Sequence, residues 1–161
     1  ILDTVFERIL ANNLAQPQVY VHRDWHSRNL MVSDPNPGIL DFQDALMGPA
    51  AYDVASLLQD ARVDIYEEIE LALLGRYVRG RRQAQADFDH TQFIKIYVTL
   101  AAQRASKILG IFARLDLRDG KPQYLRHMPR VWAYLRRSLG HPALAPLNEW
   151  YAFHVPALNT I

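Results

Sequence analysis

The sequence predicts a mainly α domain carrying one small β-hairpin element, an α+β arrangement rather than a layered βαβ fold. Three observations lead there. Apolar residues recur at helical spacing almost without relief from Tyr52 onward. The strand-like runs, "VYV", "NLMV" and "GILDF", are confined to residues 19–42. Dense turn chemistry, "SDPNPG" over Ser33 to Gly38, separates the last two of them.

Taken in order, "ILDTVFERILANNLA" reads as an amphipathic helix with Ile1, Val5, Ile9 and Leu10 on one side, and Pro17 marks its end. "VYV" and "NLMV" flank a polar loop, the Ser33–Gly38 turn reverses the chain, and "GILDF" ends at Asp41. The strands around the turn form a hairpin with a polar loop at each open end, so the two loops lie side by side. One compact loop containing Gly48 and Pro49 bridges Asp41 to Asp53. Three helical stretches follow. "AYDVASLLQDA" places Val54, Leu57, Leu58 and Ala61 on one face, and "IYEEIELALLGRYV" does the same with Ile65, Ile69, Leu73 and Leu74. The third runs from Asp89 to Leu115, interrupted only by Gly110. Gly120 and Pro122 break the chain before "YLRHMPRVWAYLRRSL" and "LAPLNEWYAFHV". No internal repeat or low-complexity linker is present.

The 161 residues, half of them apolar and 22% charged, have the profile of one soluble globular domain. A formal net charge of +1 gives no overall field favouring nucleic acid or an acidic membrane, so neither is expected as a partner. The sequence has no cysteine, which rules out disulfides, thiolate metal sites and a cysteine nucleophile and makes the cytoplasm the default location. No apolar run approaches the roughly 20 residues of a membrane-spanning helix. The chain starts at Ile1, inside a helix, and is expected to be a piece of a longer parent.

The chemistry concentrates in "VHRDWHSRNLMV", Val21 to Val32. This loop offers His22, Asp24, His26 and Asn29, and the facing loop offers Asp41 and Asp44. An Asp at a turn can accept a proton from a hydroxyl, and an Asn and an Asp from neighbouring strand ends can supply oxygen ligands for Mg²⁺. Those are the parts of a phosphoryl-transfer site. Two other readings compete. Asp24 and Asn29 can simply bond neighbouring backbone in a polar turn. Alternatively, H-x-D-x-H from His22 to His26 can start a zinc hydrolase site, but His90, His127, His141 and His154 sit in helical or helix-flanking sequence rather than at matching loop ends.

The spacing H-x-D-x-x-x-x-N, followed after one hairpin by Asp-Phe, resembles the protein-kinase-like fold, and specifically the aminoglycoside phosphotransferase family. The pieces that carry it are "HRDWHSRN", "ILDFQDALMGPAAYD" and the single hairpin between them. "DFQDALMGP" and "LGIFARL…RDGKPQYL" most resemble the family's bacterial amino-sugar branch, the anomeric kinases of N-acetylmuramate and N-acetylglucosamine. The resemblance implies the C-terminal lobe of the kinase-like fold. It makes Asp24 the catalytic base, Asn29 and Asp41 the ligands of Mg²⁺, and His26 a supporting contact to the nucleotide phosphate. His22 orients the loop, and Asp53 braces it from the next helix. Arg23, where many antibiotic-modifying members have Gly, and Arg28 take no role. Phe42-Gln43 replaces the Phe-Gly of protein kinases.

The resemblance further implies a kinase that transfers the γ-phosphate of ATP to a small-molecule hydroxyl, an amino sugar first, with aminoglycoside or choline-type acceptors and a pseudokinase as alternatives. Residues 1–61 then carry the catalytic and metal loops, and 62–161 the helical acceptor-binding part. The span from Asp41 to Asp53 is too short for a protein-kinase activation segment, which favours a small acceptor. No G-x-G occurs, and the only lysines, Lys95, Lys107 and Lys121, lie in the helical half. The nucleotide lobe is therefore expected upstream of Ile1, and this piece alone is expected to be inactive. Gln103, Arg104, Lys107 and Tyr124 are candidate polar groups on the acceptor wall. The aromatics Trp132, Tyr134, Trp150 and Tyr151 read as core first and as sugar-stacking groups second, and "RYVRGRRQAQ" as a solvated helix end.

Overall fold

A computed structural model describes residues 2–14 and 16–155. Six helices and four short strands follow one another: α1 (Leu2–Leu14), β1 (Gln18–Val21), β2 (Leu30–Met31), β3 (Gly38–Ile39), β4 (Leu46–Pro49), α2 (Ala51–Leu58), α3 (Glu67–Ala84), α4 (His90–Asp119), α5 (Met128–Leu139) and α6 (Ala145–His154). The expected mainly α chain with a small β element is what forms. Among the described residues no helix is long and apolar enough to cross a membrane.

α4 is the spine. Its 30 residues rise about 45 Å, and both apolar clusters share it. One joins Ile9 of α1 to Ala102, Ala105 and Phe112 of α4, Leu135 of α5 and Leu147 of α6. The other joins Ala55 and Leu58 of α2 and Leu74 of α3 to Phe93, Tyr97 and Leu100 of α4. The helix starts on Asp89, whose carboxylate accepts from Gln92 N at 2.9 Å. It runs straight through Gly110, past the expected end at Leu115. It stops at Gly120, in the left-handed region at φ 62°, where Gly120 N bonds Asp116 O, the closure of an αL end, and Lys121 N bonds Leu115 O.

The hairpin forms as expected, with Leu30 opposite Ile39 and Met31 opposite Gly38. Three details differ from the sequence expectation. Gly48 and Pro49 are not in a compact loop: Leu46–Pro49 is a strand antiparallel to β1, from Gln18 opposite Pro49 to Val21 opposite Leu46. Pro49 falls at the end of that ladder, where its missing N–H costs no central bond. In α1, Val5 and Ile9 pack inward as predicted, but Leu10 is 46% exposed, and Ile1 lies outside the described residues. In the second helical stretch the helix begins only at Glu67, leaving Ile65 before it, and Ile69 and Leu73 are exposed. The inward positions go to Leu74, Tyr77, Val78 and, against the apolar pattern, Glu70. Glu70 is tolerated there because Oε1 accepts from Tyr97 Oη at 2.7 Å and Gln59 Nε2 at 2.8 Å, while Oε2 is ion-paired with Arg137 Nη2 at 3.0 Å. Trp132 and Tyr134 are buried core, as first read.

Candidate active site

β1 delivers the chain to the polar loop, and the first turn of α2 fixes how it turns. The Asp53 carboxylate accepts from two successive amides, His22 N at 2.7 Å and Arg23 N at 2.9 Å. Burial raises the Asp53 carboxyl above its ordinary range, and the two amides pull it back. Arg23 has φ 76°, a left-handed conformation that costs a non-glycine residue roughly 1–2 kcal/mol. The two charge-assisted bonds hold it there. Its guanidinium reaches Asp44 O at 3.2 Å.

His22 is buried and ties the two loops together: Nε2–H donates to Leu40 O at 2.7 Å, which fixes the tautomer and leaves Nδ1 without a partner among the described residues. Its ring meets Trp25 edge-on at 5.5 Å. A zinc reading would need this nitrogen. Among the described residues, no three His, Cys, Asp or Glu side chains converge as a ligand group.

Asn29 ends a short 3₁₀ turn, Ser27–Asn29. Its carbonyl accepts from Leu40 N at 2.9 Å, which extends the hairpin to the mouth of the loop. Its side-chain Nδ2 donates to Asp24 O at 2.9 Å and to Asp41 Oδ2 at 3.5 Å. Asn29 thus turns its amide nitrogen toward the Asp41 carboxylate. Asp41 has φ 61°, and Gln43 Nε2 donates to its Oδ1 at 2.6 Å. Gln43, which stands where protein kinases have Gly, therefore braces the Asp41 carboxylate from the far side. The donor set, one carboxylate and one side-chain amide that also carries an oxygen, suits Mg²⁺, which takes few protein ligands and keeps several waters.

Asp24 is exposed at the loop's outer face, with only its carbonyl engaged. His26 sits deeper, 7% exposed, and its Nδ1 has no partner among the described residues. Burial holds its pKa below the ordinary value; Arg62 and Arg104 add to that, and Asp60 and Asp24 oppose it. Five of the expected site residues, His22, Asp24, His26, Asn29 and Asp41, thus lie on the loop and the end of the hairpin, and Asp53 reaches the loop from α2. Below it lies a cavity of about 720 Å³ lined in part by His22, Trp25, Phe42 and Asp53.

Asp60 escaped the sequence reading. It and Arg104, buried at 2% and 9% exposure, share the electrostatic surroundings of His26. No motif marks Asp60, and only its place just after an apolar helix signals a buried charge. Of the acceptor-wall candidates, Gln103, Arg104 and Lys107 line a second cavity of about 550 Å³ together with Trp150 and Tyr151. Tyr124 lies apart, packed against Phe112.

Comparison with known proteins agrees with this geometry. The pattern of the APH family, described as the phosphotransferase enzyme family, matches residues 1–94. The chain is 43% identical over 151 residues to the N-acetylmuramate/N-acetylglucosamine kinase of Pseudomonas aeruginosa, covering 92% of this chain and 45% of the relative. Its counterpart in Neisseria meningitidis is 46% identical over 144 residues (88% and 43%), and that of Caulobacter vibrioides 40% over 159 residues (96% and 43%). The chain therefore spans less than half the length of these relatives. A family pattern covering more than half of the chain, on a helical fold whose braced loop and hairpin match a kinase-like C-terminal lobe, establishes that the chain belongs to the APH phosphotransferase family.

Proposed function

We propose that the protein carrying this chain is a small-molecule kinase that transfers the γ-phosphate of ATP to a hydroxyl of an amino sugar. The observation that carries the reading is the loop itself: Asp24 stands exposed beside Asn29 and Asp41, on a backbone that Asp53 holds in a strained turn. In this reaction the Asp24 carboxylate takes the proton from the acceptor hydroxyl as its oxygen bonds to the γ-phosphorus. The bond from phosphorus to the β,γ-bridging oxygen breaks, and ADP leaves. The Asn29 side chain and the Asp41 carboxylate would hold Mg²⁺, which would supply neutralisation of phosphate charge. His22 and Asp53 keep the loop in register, and His26 supports it beside Asp24.

The amino-sugar acceptor is supported by the named activity of the relatives, whose similarity continues past residue 94 through most of the helical half. On this reading residues 1–61 carry the chemistry and 62–161 shape the acceptor site. The nucleotide lobe belongs to a part of the protein outside these 161 residues. Tyr20, Met31, Val32, Phe42 and Met47, around the hairpin and β4, are apolar and largely exposed, the kind of surface another part of a protein covers. The test is Asp24→Asn in the full-length protein with Mg-ATP and amino sugars. kcat is expected to fall about 10²–10⁴-fold with little change in KM for ATP. An equal loss of ATP affinity refutes the role given to Asp24.

A further inference from the structure

The connection between α2 and α3 is built, not slack. Gln59 O accepts from Arg104 Nη1 at 3.2 Å, Ala61 O from Arg130 Nη1 at 3.0 Å, Val63 O from Tyr134 Oη at 2.8 Å and Ile65 O from Arg137 Nη2 at 3.4 Å. Ile65 N returns a bond to Tyr134 Oη at 3.0 Å. Every second carbonyl from 59 to 65 is thus tied down, and three of the four ties come from one face of α5 at i, i+4 and i+7. A turn at Asp60–Val63 is closed by Val63 N on Asp60 O, and Arg62 N is held by Asp60 Oδ1 at 2.9 Å. Arg62 is presented at the tip of that turn.

The Arg62 side chain is 41% exposed, and its nearest carboxylate contact is Asp60 Oδ1 at 3.9 Å, beyond hydrogen-bond distance. Arg130 is committed to Asp64, with Nη2 at 2.8 Å from Oδ2, and Arg126 leans on His127 at 3.3 Å. Arg28, in the catalytic loop, makes no ion pair among the described residues. Arg130 Nη1 contacts both Ala61 O at 3.0 Å and His127 Nδ1 at 3.1 Å, which sets the Arg62 turn against the start of α5, and Arg62 and Arg28 both act electrostatically on His127. Two buried polar atoms of the residues around Arg62, Asp60 Oδ2 and His26 Nδ1, have no hydrogen-bond partner among the described residues. An exposed guanidinium whose carboxylate contact is a long one, next to unpartnered buried polar atoms, marks a place for a ligand that bears both an anion and hydroxyl or amide hydrogens.

We infer that Arg62 binds the anionic substituent of the acceptor, a carboxylate on the sugar, and so sets the preference for acidic over neutral amino sugars. The inference rests on the kinase reading above. An oxyanion at this place could also come from the transferred phosphate. Arg62 is anchored to α4 and α5, however, rather than to the hairpin that carries Asp41, and the acceptor is the partner that approaches from the helical half.

The experiment compares N-acetylmuramate, which carries a carboxylate, with neutral N-acetylglucosamine, using the full-length protein and Mg-ATP. Arg62→Gln is expected to lower the ratio of kcat/KM for the acidic over the neutral sugar about tenfold or more, mainly through KM. Arg62→Lys, which keeps the charge and loses the planar fork, is expected to regain part of it. Equal losses on both sugars assign Arg62 to the phosphate or to the fold and overturn the inference, as does an unchanged ratio. A wild-type protein that accepts only the neutral sugar also overturns it while leaving the kinase reading intact. A wild-type protein that phosphorylates neither sugar removes the kinase reading, and this inference with it.

Discussion

Replacing Asp53 with Asn isolates what holds the catalytic loop in its strained turn. The wild-type carboxylate accepts from His22 N and Arg23 N through its two oxygens, at 2.7 and 2.9 Å. Asn offers one oxygen and turns an NH₂ group toward the second amide, so at least one charge-assisted bond is lost, worth about 1.5–3 kcal/mol. Removing a half-buried charge returns some of that, because burial already disfavours the ionised Asp53. The net loss is about 2 kcal/mol, and the left-handed Arg23, no longer held, supplies a driving force to relax. Local opening of residues 20–29 then becomes roughly 30-fold more frequent, since each 1.4 kcal/mol is a factor of ten. Hydrogen exchange of the full-length protein, read by mass spectrometry, measures this directly. Amides 22 and 23 are expected to exchange about 30-fold faster, while the core of α4 around Ala101 and Ala102 keeps its protection. Unchanged exchange at 22 and 23 refutes the argument that Asp53 locks the loop. A rise of similar size throughout α4 also refutes it, because it would make Asp53 a support of the whole core.

Two further outcomes follow from the helical half. Glu70→Gln keeps the shape of a buried group that three side chains address but removes the charge facing Arg137. It is expected to lower unfolding free energy by about 1–3 kcal/mol in urea denaturation, and a neutral result would show that the buried ion pair contributes nothing net. His127 is held below its ordinary pKa of about 6.5 first by burial and then by Arg126, Arg130, Arg62 and Arg28. Between that lowered value and pH 6.5 the unfolded chain binds more protons than the folded one. Stability therefore rises with pH through this window, is lost as the pH falls back through it, and is independent of this group below it. His127→Gln is expected to make the dependence of the denaturation midpoint between pH 5 and 7 shallower; an unaltered slope refutes the assignment.

How much of this was legible in the sequence depended on how local each feature is. The site loop could be read because its chemistry is consecutive: His22, Asp24, His26 and Asn29 fall within eight residues, and a turn-rich stretch announces the hairpin that returns Asp41 to them. The long α4 was equally plain, because thirty residues of helical pattern outvote one glycine. β4 was not, because Leu46–Pro49 has little strand propensity of its own and exists as a strand through pairing with β1, 28 residues earlier. Glu70 was missed for a related reason. A carboxylate in an apolar stripe looks like its exposed edge until Gln59, Tyr97 and Arg137 arrive from three other parts of the fold. Gln43 looked like a departure from the family pattern, and its bond to Asp41 makes it a brace instead.

The turn around Arg62 was hidden for a further reason, and that reason bears on how such a site changes. Arg104, Arg130, Tyr134 and Arg137 grip main-chain carbonyls, which every residue type possesses, so nothing in "QDARVDI" itself marks the segment as held. The same arrangement separates the position of the turn from the identity of the side chain at its tip. Backbone ties from α4 and α5, together with Asp60, keep residue 62 in place whatever it carries, whereas a tip held by its own side chain would move on replacement. Acceptor preference can therefore shift by a single substitution at 62 without loss of the catalytic loop. Asp53 and His22, whose side chains themselves carry the geometry, allow no such freedom.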